Sequence, residues 1–555
     1  MQSYYNELIE EIKSKKLSKD KINRLKLKLC KKYNLKYPPT DVEILLNASE
    51  KDIPKLKKQL LTKPTRTISG VAIIAVMSAP YECPHGSCIM CPSYTKKGIP
   101  KSYTGYEPAT MRALRNKFDP YLQIFNRLEQ YIVTGHLPEK IELIIMGGTF
   151  PSFPRNYQQE FIKNCFKAMN DFSRIFFKNG VINIKKFKQF FELPGKVSSE
   201  ERVASIHKKA LKEKNKNKKS LKREQKLNET SVVKCVGLTI ETRADYGTLE
   251  HGNFLLNLGC TRIELGIQSV YDEVLKKIKR GHTVQDNIDS IRTLKDLGFK
   301  LNFHYMPGLF VNRSYDLAGM KLLFSDSDYR PDMLKIYPCI VIKGTKLYQL
   351  YKKGKFKPLT TKQAASLIAD FKKFVPKYCR IMRVQRDIPS YKIVAGVNKT
   401  NLRQYIHSLM KLRNIKCSCI RCREVGRTLK TLGKITYNTI EYEASHGREF
   451  FIEAISGESL LGFCRMRFPS VQLRKEITKG TALIRELHVY GEPAALGKKA
   501  YIQHRGLGKR LLKLAEKIAK LHDKDKIVII SGVGVREYYR KQKYKKQGPY
   551  MVKKV

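Results

Sequence analysis

The densest reactive chemistry in this 555-residue chain lies between Tyr81 and Pro92. Cys83, Cys88 and Cys91 are spaced C-x4-C-x2-C, directly after an apolar run, VAIIAVM at 71–77. Three thiols in one short loop point to a metal centre. Gly86 and the flanking prolines suit a loop whose backbone folds around a bound object. A four-iron cluster normally takes four thiolates, so three would leave one iron open to a small molecule. A structural zinc ion with His85 as a fourth ligand is the competing reading, and spacing alone balances the two.

A second group, Cys417, Cys419 and Cys422, is dense enough for a structural zinc. His407, upstream on a predicted helix, is favoured over His446 as the fourth ligand; three metal-free surface thiols are the plain alternative. The other seven of the 13 cysteines are scattered, and a chain this long is no disulfide scaffold. A third signal is Gln503-His504-Arg505-Gly506-Leu507-Gly508, ahead of a segment with apolar residues at 507, 511, 512, 515 and 518. Glycines at a strand-to-helix turn expose backbone N–H groups and the positive end of the helix dipole, which suits a pyrophosphate.

The elements that must position these groups follow from apolar periodicity. Strands are expected at 71–77, 141–148, 235–242, 261–269, 300–308 and 333–342, with helical segments such as Val284–Leu297 between several of them. Six strands with helical crossovers imply a parallel sheet, open or partly closed into a barrel, whose functional groups gather at the strands' C-terminal ends. Cys83, Cys88, Cys91, Gly147 and Gly148 all fall at such ends. Glu241, Arg243, Arg262 and Gln268 are polar residues in or beside apolar strands, where cofactor contact and edge ion pairs compete as explanations. Residues 431–555 read as strands, one good helix, then strands. The chain divides into a basic helical module at 1–70, an α/β unit at 71–396 with a Lys-rich insertion at 195–230, a zinc-binding linker at 397–430 and a mixed α/β unit at 431–555. Within the insertion, 208–226 carries 10 Lys+Arg against 2 acidic residues and is expected to be a mobile helix or loop, with a disordered insert an equal alternative.

The formal net charge of +58 points to a polyanionic partner, with a Lys-rich genome or salty cytoplasm as the competing cause. No apolar run approaches the roughly 20 residues needed to span a bilayer, and the N-terminus has no signal-peptide character, so a soluble cytoplasmic protein is expected.

The thiol loop together with TGYEPATMRALRNKFDPYLQ (104–123), MGGTF (146–150), ETRADY (241–246), GCTRIELGIQSVYDEV (259–274), RVQRDIP (383–389), RELHVYG (485–491) and SGVGVREYYRKQKY (531–544) resembles the radical S-adenosylmethionine superfamily, and within it the catalytic subunit of Elongator and its stand-alone, archaeal-type relatives. The first cysteine gap departs from the pattern: it is one residue longer than the superfamily's usual C-x3-C and shorter than Elongator's own. The resemblance implies a partial parallel (β/α) barrel followed by a GNAT acetyltransferase-like domain. It assigns a [4Fe–4S] cluster to Cys83, Cys88 and Cys91, and S-adenosylmethionine to the open iron beside Gly147 and Gly148. Acetyl-coenzyme A would lie against Glu486, Leu487, His488 and Val489 and the turn Gly506, Leu507, Gly508 and Lys509, with Tyr539 near the thioester and Lys140 touching the same molecule.

The implied activity is radical carboxymethylation of C5 of the wobble uridine of tRNA. A radical formed on the acetyl methyl would add to the base, and thioester hydrolysis would leave the carboxymethyl group. The partner would be the anticodon stem-loop, bound by the N-terminal module, linker and barrel rim. A homodimer stays open, and Elongator-type accessory subunits are not required. The rival from another class is a protein lysine acetyltransferase with a structural iron–sulfur domain. The positive charge counts against it, because histone-type tails are themselves basic.

Overall fold

The structure is a computed structural model that describes residues 2–15, 17–35, 37–49, 51–61, 70–195, 199–428, 432–490 and 506–555. Four helices, α1 (Gln2–Ser14), α2 (Lys19–Lys32), α3 (Asp41–Asn47) and α4 (Ile53–Leu60), come first. The Ser18 hydroxyl caps α2, and Thr40 and Glu43 form a reciprocal capping box on α3. Tyr4, Leu8 and Ile12, one turn apart, pack with Ile22, Leu29, Ile44 and Leu56 into a core of their own.

Seven strands follow: β1 (Ala72–Met77), β2 (Lys140–Met146), β3 (Lys234–Thr242), β4 (Arg262–Gln268), β5 (Lys300–Tyr305), β6 (Met333–Ile336) and β7 (Arg380–Arg383). They lie side by side in chain order, and every neighbouring pair is parallel. Parallel neighbours need crossovers, which helices such as Val284–Asp296, Arg313–Ser325 and Thr361–Lys372 supply. β1 and β7 end the order unjoined, so the sheet is an arc, a partial barrel.

The expectation of six strands is one short. Arg380-Ile381-Met382-Arg383 is too short and too charged to carry a strand signal. It becomes β7 because the outer edge of β6 offers it a ladder, Arg380 to Met333 and Ile381 to Leu334. The run at 333–342 divides into two. Pro338 follows β6, and Val341–Ile342 turns away to pair antiparallel with Ile393–Ala395. The Lys-rich insertion is helical, one of its expected forms, and it docks. Helices Glu200–Asn215 and Leu221–Asn228 start on Ser199 and Ser220 caps, and their apolar face docks: Ile206 and Ala210 are buried and Arg202 pairs with buried Glu129. Asn228, fully buried, donates to Asn170 Oδ1 at 2.8 Å and to the Val233 carbonyl at 3.1 Å. The lysines dominate the composition, but the sparse apolar residues decide the packing.

A second sheet holds β8 (Ile435–Ala444), β9 (Gly447–Ser456), β10 (Ser459–Phe468), β11 (Thr481–Val489), β12 (Lys526–Ile530), β13 (Lys545–Gln547) and β14 (Tyr550–Lys554), in the order β8-β9-β10-β11-β12-β14-β13. It is antiparallel except for β11 and β12. That parallel ladder stops at Ile484–Ile529, and beyond it β11 pairs with β10 alone, so the sheet splits there. Helix Leu507–Leu521 lies on β9, β10 and β11 through Leu507, Leu511, Leu512, Ala515 and Ala519.

The two sheets meet through buried charge. Arg485 on β11 grips Asp332, just before β6, with both terminal nitrogens (2.8 and 2.6 Å), and also reaches the Phe299 carbonyl and Glu449. Arg467 binds Asp296 through Nε at 2.7 Å and the Ala444 and Ser445 carbonyls. Arg465 joins Glu486 to the Tyr378 carbonyl. Burial alone would raise the Asp332 carboxyl, but Arg485 and Arg465 hold it well below the usual carboxylate range. Beside this seam a Cβ on Gly532 would stand 2.1 Å from the Val236 carbonyl oxygen, so only glycine allows that close approach. Among the described residues no helix is long and apolar enough to cross a membrane.

Candidate active site

The C-terminal ends of the parallel strands form one mouth, and the thiol loop sits on it directly after β1. Cys83 Sγ lies 3.8 Å from Thr149 Oγ1, and Cys91 Sγ lies 3.6 Å from Ser102 Oγ. Cys88 is buried between His85 Nε2 at 3.3 Å and Arg280 Nη1 at 3.7 Å. Burial pushes the Cys91 thiol up. Gly86 makes the loop's turn in the left-handed region, φ +84°. Buried Arg280 brings positive charge to Cys88, one of three groups that ligate as anions, while buried Lys101 spends its ammonium on Glu82, Ser87 and Ser93.

β2 ends on the two glycines. Gly147 has φ +125°, and a Cβ there would fall 2.2 Å from Ser78 Oγ; a Cβ on Gly148 would stand 4.0 Å from Cys83 Sγ. The backbone therefore lies bare beside the thiols. Arg243 is held by Asp245 through two 2.9 Å bonds and by the Gly281 carbonyl, which leaves Nη1 buried without a partner. Gln268 ends β4 with φ +65°, at a register break after Leu265, and its Oε1 is also buried and unpartnered. Glu241 accepts from Tyr103 Oη at 3.1 Å. Arg262 lies deeper, at the start of β4, where it bridges Glu142 and Glu264. The donor set fits the groups that the sequence implies. Three thiols suit a cluster with one open iron, and a glycine cradle with unpaired polar atoms suits a charged small molecule.

The layer beneath the mouth escaped the sequence reading. Fully buried Glu264 accepts from Asn302 Nδ2 at 3.1 Å, from His304 Nε2 at 2.9 Å and from Lys335 Nζ. Ligand atoms of Glu241, Glu264 and His304 all lie within 4.8 Å of one another. Burial would raise the Glu264 carboxyl, yet Lys335, His304 and Arg262 hold it well below its usual range. Burial and Lys335 keep the imidazole of His304 neutral-leaning. Asn302 Oδ1 and Thr239 Oγ1 remain unpartnered. A signal did exist: positions 262 and 264 on β4 and 302 and 304 on β5 place polar groups at even spacing, on one face of each strand.

The sulfurs of Cys417, Cys419 and Cys422 also lie within 4.8 Å of one another, as one tetrahedral ion requires. Lys372 Nζ is 3.8 Å from Cys422 Sγ. His407 sits on helix Leu402–Leu412, with its pKa lowered first by burial and then by Lys372.

In the second sheet the split leaves Glu486, Leu487, His488 and Val489 paired on one side only, and the helix starting at Leu507 points its first turn there. A Cβ on Gly508 would stand 2.9 Å from Tyr538 Oη and 3.7 Å from Val489 Cγ2; Gly506 has φ +77°, and Lys509 is exposed. Gln503, His504 and Arg505 lie outside the described residues. The Glu486 carboxylate is taken up by Arg465 and by Lys300 at 3.2 Å, so only its main chain faces the split. His488 stacks on Phe463, and its Nε2 is unpartnered. Tyr539 is buried, 5.3 Å from the Tyr538 ring. Lys140 opens β2 at the pole opposite the thiols, in register with Lys234, which packs against Gly534 of the second unit.

Comparison with known proteins agrees with this architecture. The radical SAM superfamily matches residues 77–315, the Radical_SAM C-terminal domain residues 331–411 and the ELP3 N-terminal domain residues 1–68. The chain is 42% identical to the tRNA uridine(34) acetyltransferase of Methanocaldococcus infernus, covering 100% of this chain and 99% of that protein. It is 37% identical to Elongator complex protein 3 of Homo sapiens, covering 96% and 93% respectively. The solved structure of the archaeal Methanocaldococcus infernus Elp3 with an N-terminal deletion (1–46) superposes with a TM-score of 0.72 at 40% identity, covering 88% of this chain and 100% of that one. With family models over the barrel and full-length relatives well above 30% identity, the chain belongs to the Elongator complex protein 3 family of radical SAM proteins.

Proposed function

We propose that this protein carboxymethylates C5 of the wobble uridine of tRNA, using S-adenosylmethionine and acetyl-coenzyme A. The observation that carries the reading is the thiol loop set over a barrel mouth with buried, unpaired polar groups. The relatives' name, tRNA uridine(34) acetyltransferase, supplies the substrate. Cys83, Cys88 and Cys91 hold the [4Fe–4S] cluster. Gly147 and Gly148 let the backbone approach the amino-acid end of S-adenosylmethionine, with Arg243 and Gln268 at its rim. When bound, these groups supply one-electron chemistry at an unactivated C–H bond. His304 donates Nε2–H to Glu264, so its Nδ1 is the atom able to take a proton from a base seated in the barrel. Glu486–Val489, the N–H groups of Gly506–Lys509 and Tyr539 would hold acetyl-coenzyme A, which would supply the acetyl group. Lys140 faces the same molecule from the barrel's far pole. Cys417, Cys419 and Cys422 would hold a zinc ion in the linker; His407 does not stand among the ligand atoms within 4.8 Å of one another, and would have to turn from its helix to complete the set. Lysines along the chain hold tRNA phosphates, so affinity falls steeply with salt.

The test is anaerobic reconstitution with tRNA, both cofactors and a reductant, followed by mass spectrometry of the nucleosides. We expect 5-carboxymethyluridine from the native chain and none from Cys88→Ala. Unmodified tRNA alongside acetylated lysine peptides would replace this reading with a protein acetyltransferase.

A further inference from the structure

The arc of seven strands leaves β1 and β7 unjoined, and the loops that follow those two strands meet across the gap. Arg386, after β7, donates to the carbonyl of Ser102, whose hydroxyl stands 3.6 Å from Cys91 Sγ. Beyond this tie two tyrosines face solvent: Tyr106 is 44% exposed and Tyr391 72%. Their rings meet edge to face, centroids 6.1 Å apart. Lys392 Nζ lies 3.7 Å from the centre of the Tyr106 ring and 5.3 Å from that of Tyr391. Three residues before Tyr106, buried Tyr103 gives its hydroxyl to Glu241 at the mouth. One short loop thus joins the buried site to an exposed aromatic pair.

Two large rings in water at the open side of a barrel contribute little to the fold. Rings flanked by a cation are the chemistry of a stacking surface for nucleobases, with the ammonium free to turn to a phosphate. We propose that Tyr106, Tyr391 and Lys392 form a platform on which an unpaired base stacks while its neighbour in the strand enters the barrel. The proposal rests on the reading that RNA is the substrate. The occupant follows from charge and geometry. A chain of net charge +58 selects a polyanion. The pair stands on the loop that also carries Tyr103 to the mouth, so a base stacked on it lies one short loop from the buried site. A base that enters must leave its stack, which bares a π-face of the next base at the rim. Tyr106 and Tyr391 take no part in the chemistry.

The probe is an anticodon stem-loop RNA with 2-aminopurine on the 3′ side of the wobble uridine, titrated with the full chain. Stacking quenches this base, so fluorescence should fall on binding and stay low with Tyr106→Phe and Tyr391→Phe. The double variant Tyr106→Ala/Tyr391→Ala should lose the quench and bind about tenfold more weakly, with an unchanged salt slope. Lys392→Gln should keep the quench and make the slope shallower by about one phosphate contact. Binding by the native chain without quenching, or quenching that survives the double alanine variant, overturns the platform and leaves the RNA reading standing. No binding of the stem-loop at any salt, with an acidic peptide bound instead, overturns the RNA reading and the platform with it.

Discussion

The barrel mouth and the seam between the two sheets are both buried and both crowded with charge, yet they are built to opposite ends. At the seam nearly every donor has an acceptor: Arg467 and Arg485 spend their guanidinium groups on Asp296, Asp332, Glu449 and backbone carbonyls. At the mouth Ser78 Oγ, Arg243 Nη1, Gln268 Oε1 and Asn302 Oδ1 are buried with no partner. Buried polar atoms in native proteins are nearly always paired, so the first region reads as finished structure and the second as the place where the proposed ligands would supply the missing partners.

Breaking the seam should have the largest effect on stability. Arg485→Met keeps the aliphatic stem but leaves Asp332 and Glu449 facing each other across a buried gap, which should cost about 3–5 kcal/mol in chemical denaturation. Adding Asp332→Asn should recover part of that loss. A native response indistinguishable from Arg485→Met would mean the seam is not what joins the sheets.

Acid should act next, through His488 at the edge of the seam. Burial first, opposed by Glu486 and then aided by Lys300 and Arg380, brings its pKa from 6.5 down to about 4. The folded state therefore binds fewer protons there than the unfolded chain between those values. The stabilisation is complete above pH 6.5 and is lost as pH falls towards 4, about 2 kcal/mol once its partial exposure is allowed for. Melting curves of native protein and His488→Phe should run together near neutrality, with the native chain falling below the variant as pH drops towards 4.

The smallest effect on stability should come from the mouth. Gln268→Met removes a buried, unpaired amide oxygen and should shift the unfolding free energy by less than about 0.5 kcal/mol. The same change should weaken S-adenosylmethionine binding about tenfold in equilibrium dialysis against the cluster-loaded chain, because the ligand loses a hydrogen-bonding group. A large stability loss without a change in binding would erase the contrast between the two regions.

Short-range features were legible in the sequence. The thiol spacing, the glycine pair after β2 and the helical face of Leu507–Leu521 are each written within a few residues, so local sterics and periodicity suffice to find them. The short β7 carried no strand signal because a neighbouring edge made it, and the Lys-rich segment is helical, one of its two expected forms, but docked by a buried apolar face that its composition hides.

What only the tertiary structure decided is company. Glu264, Asn302, His304 and Lys335 come from three strands separated by helical crossovers, and nothing local says that their side chains converge. Tyr106 and Tyr391 stand nearly three hundred positions apart, and meet only because an arc of parallel strands brings its first and last loops together. The chain determined by itself which groups can do chemistry, through residue type and spacing. Burial and strand order determined which of them act together, because charge, protonation and reach depend on what surrounds a side chain once water is excluded.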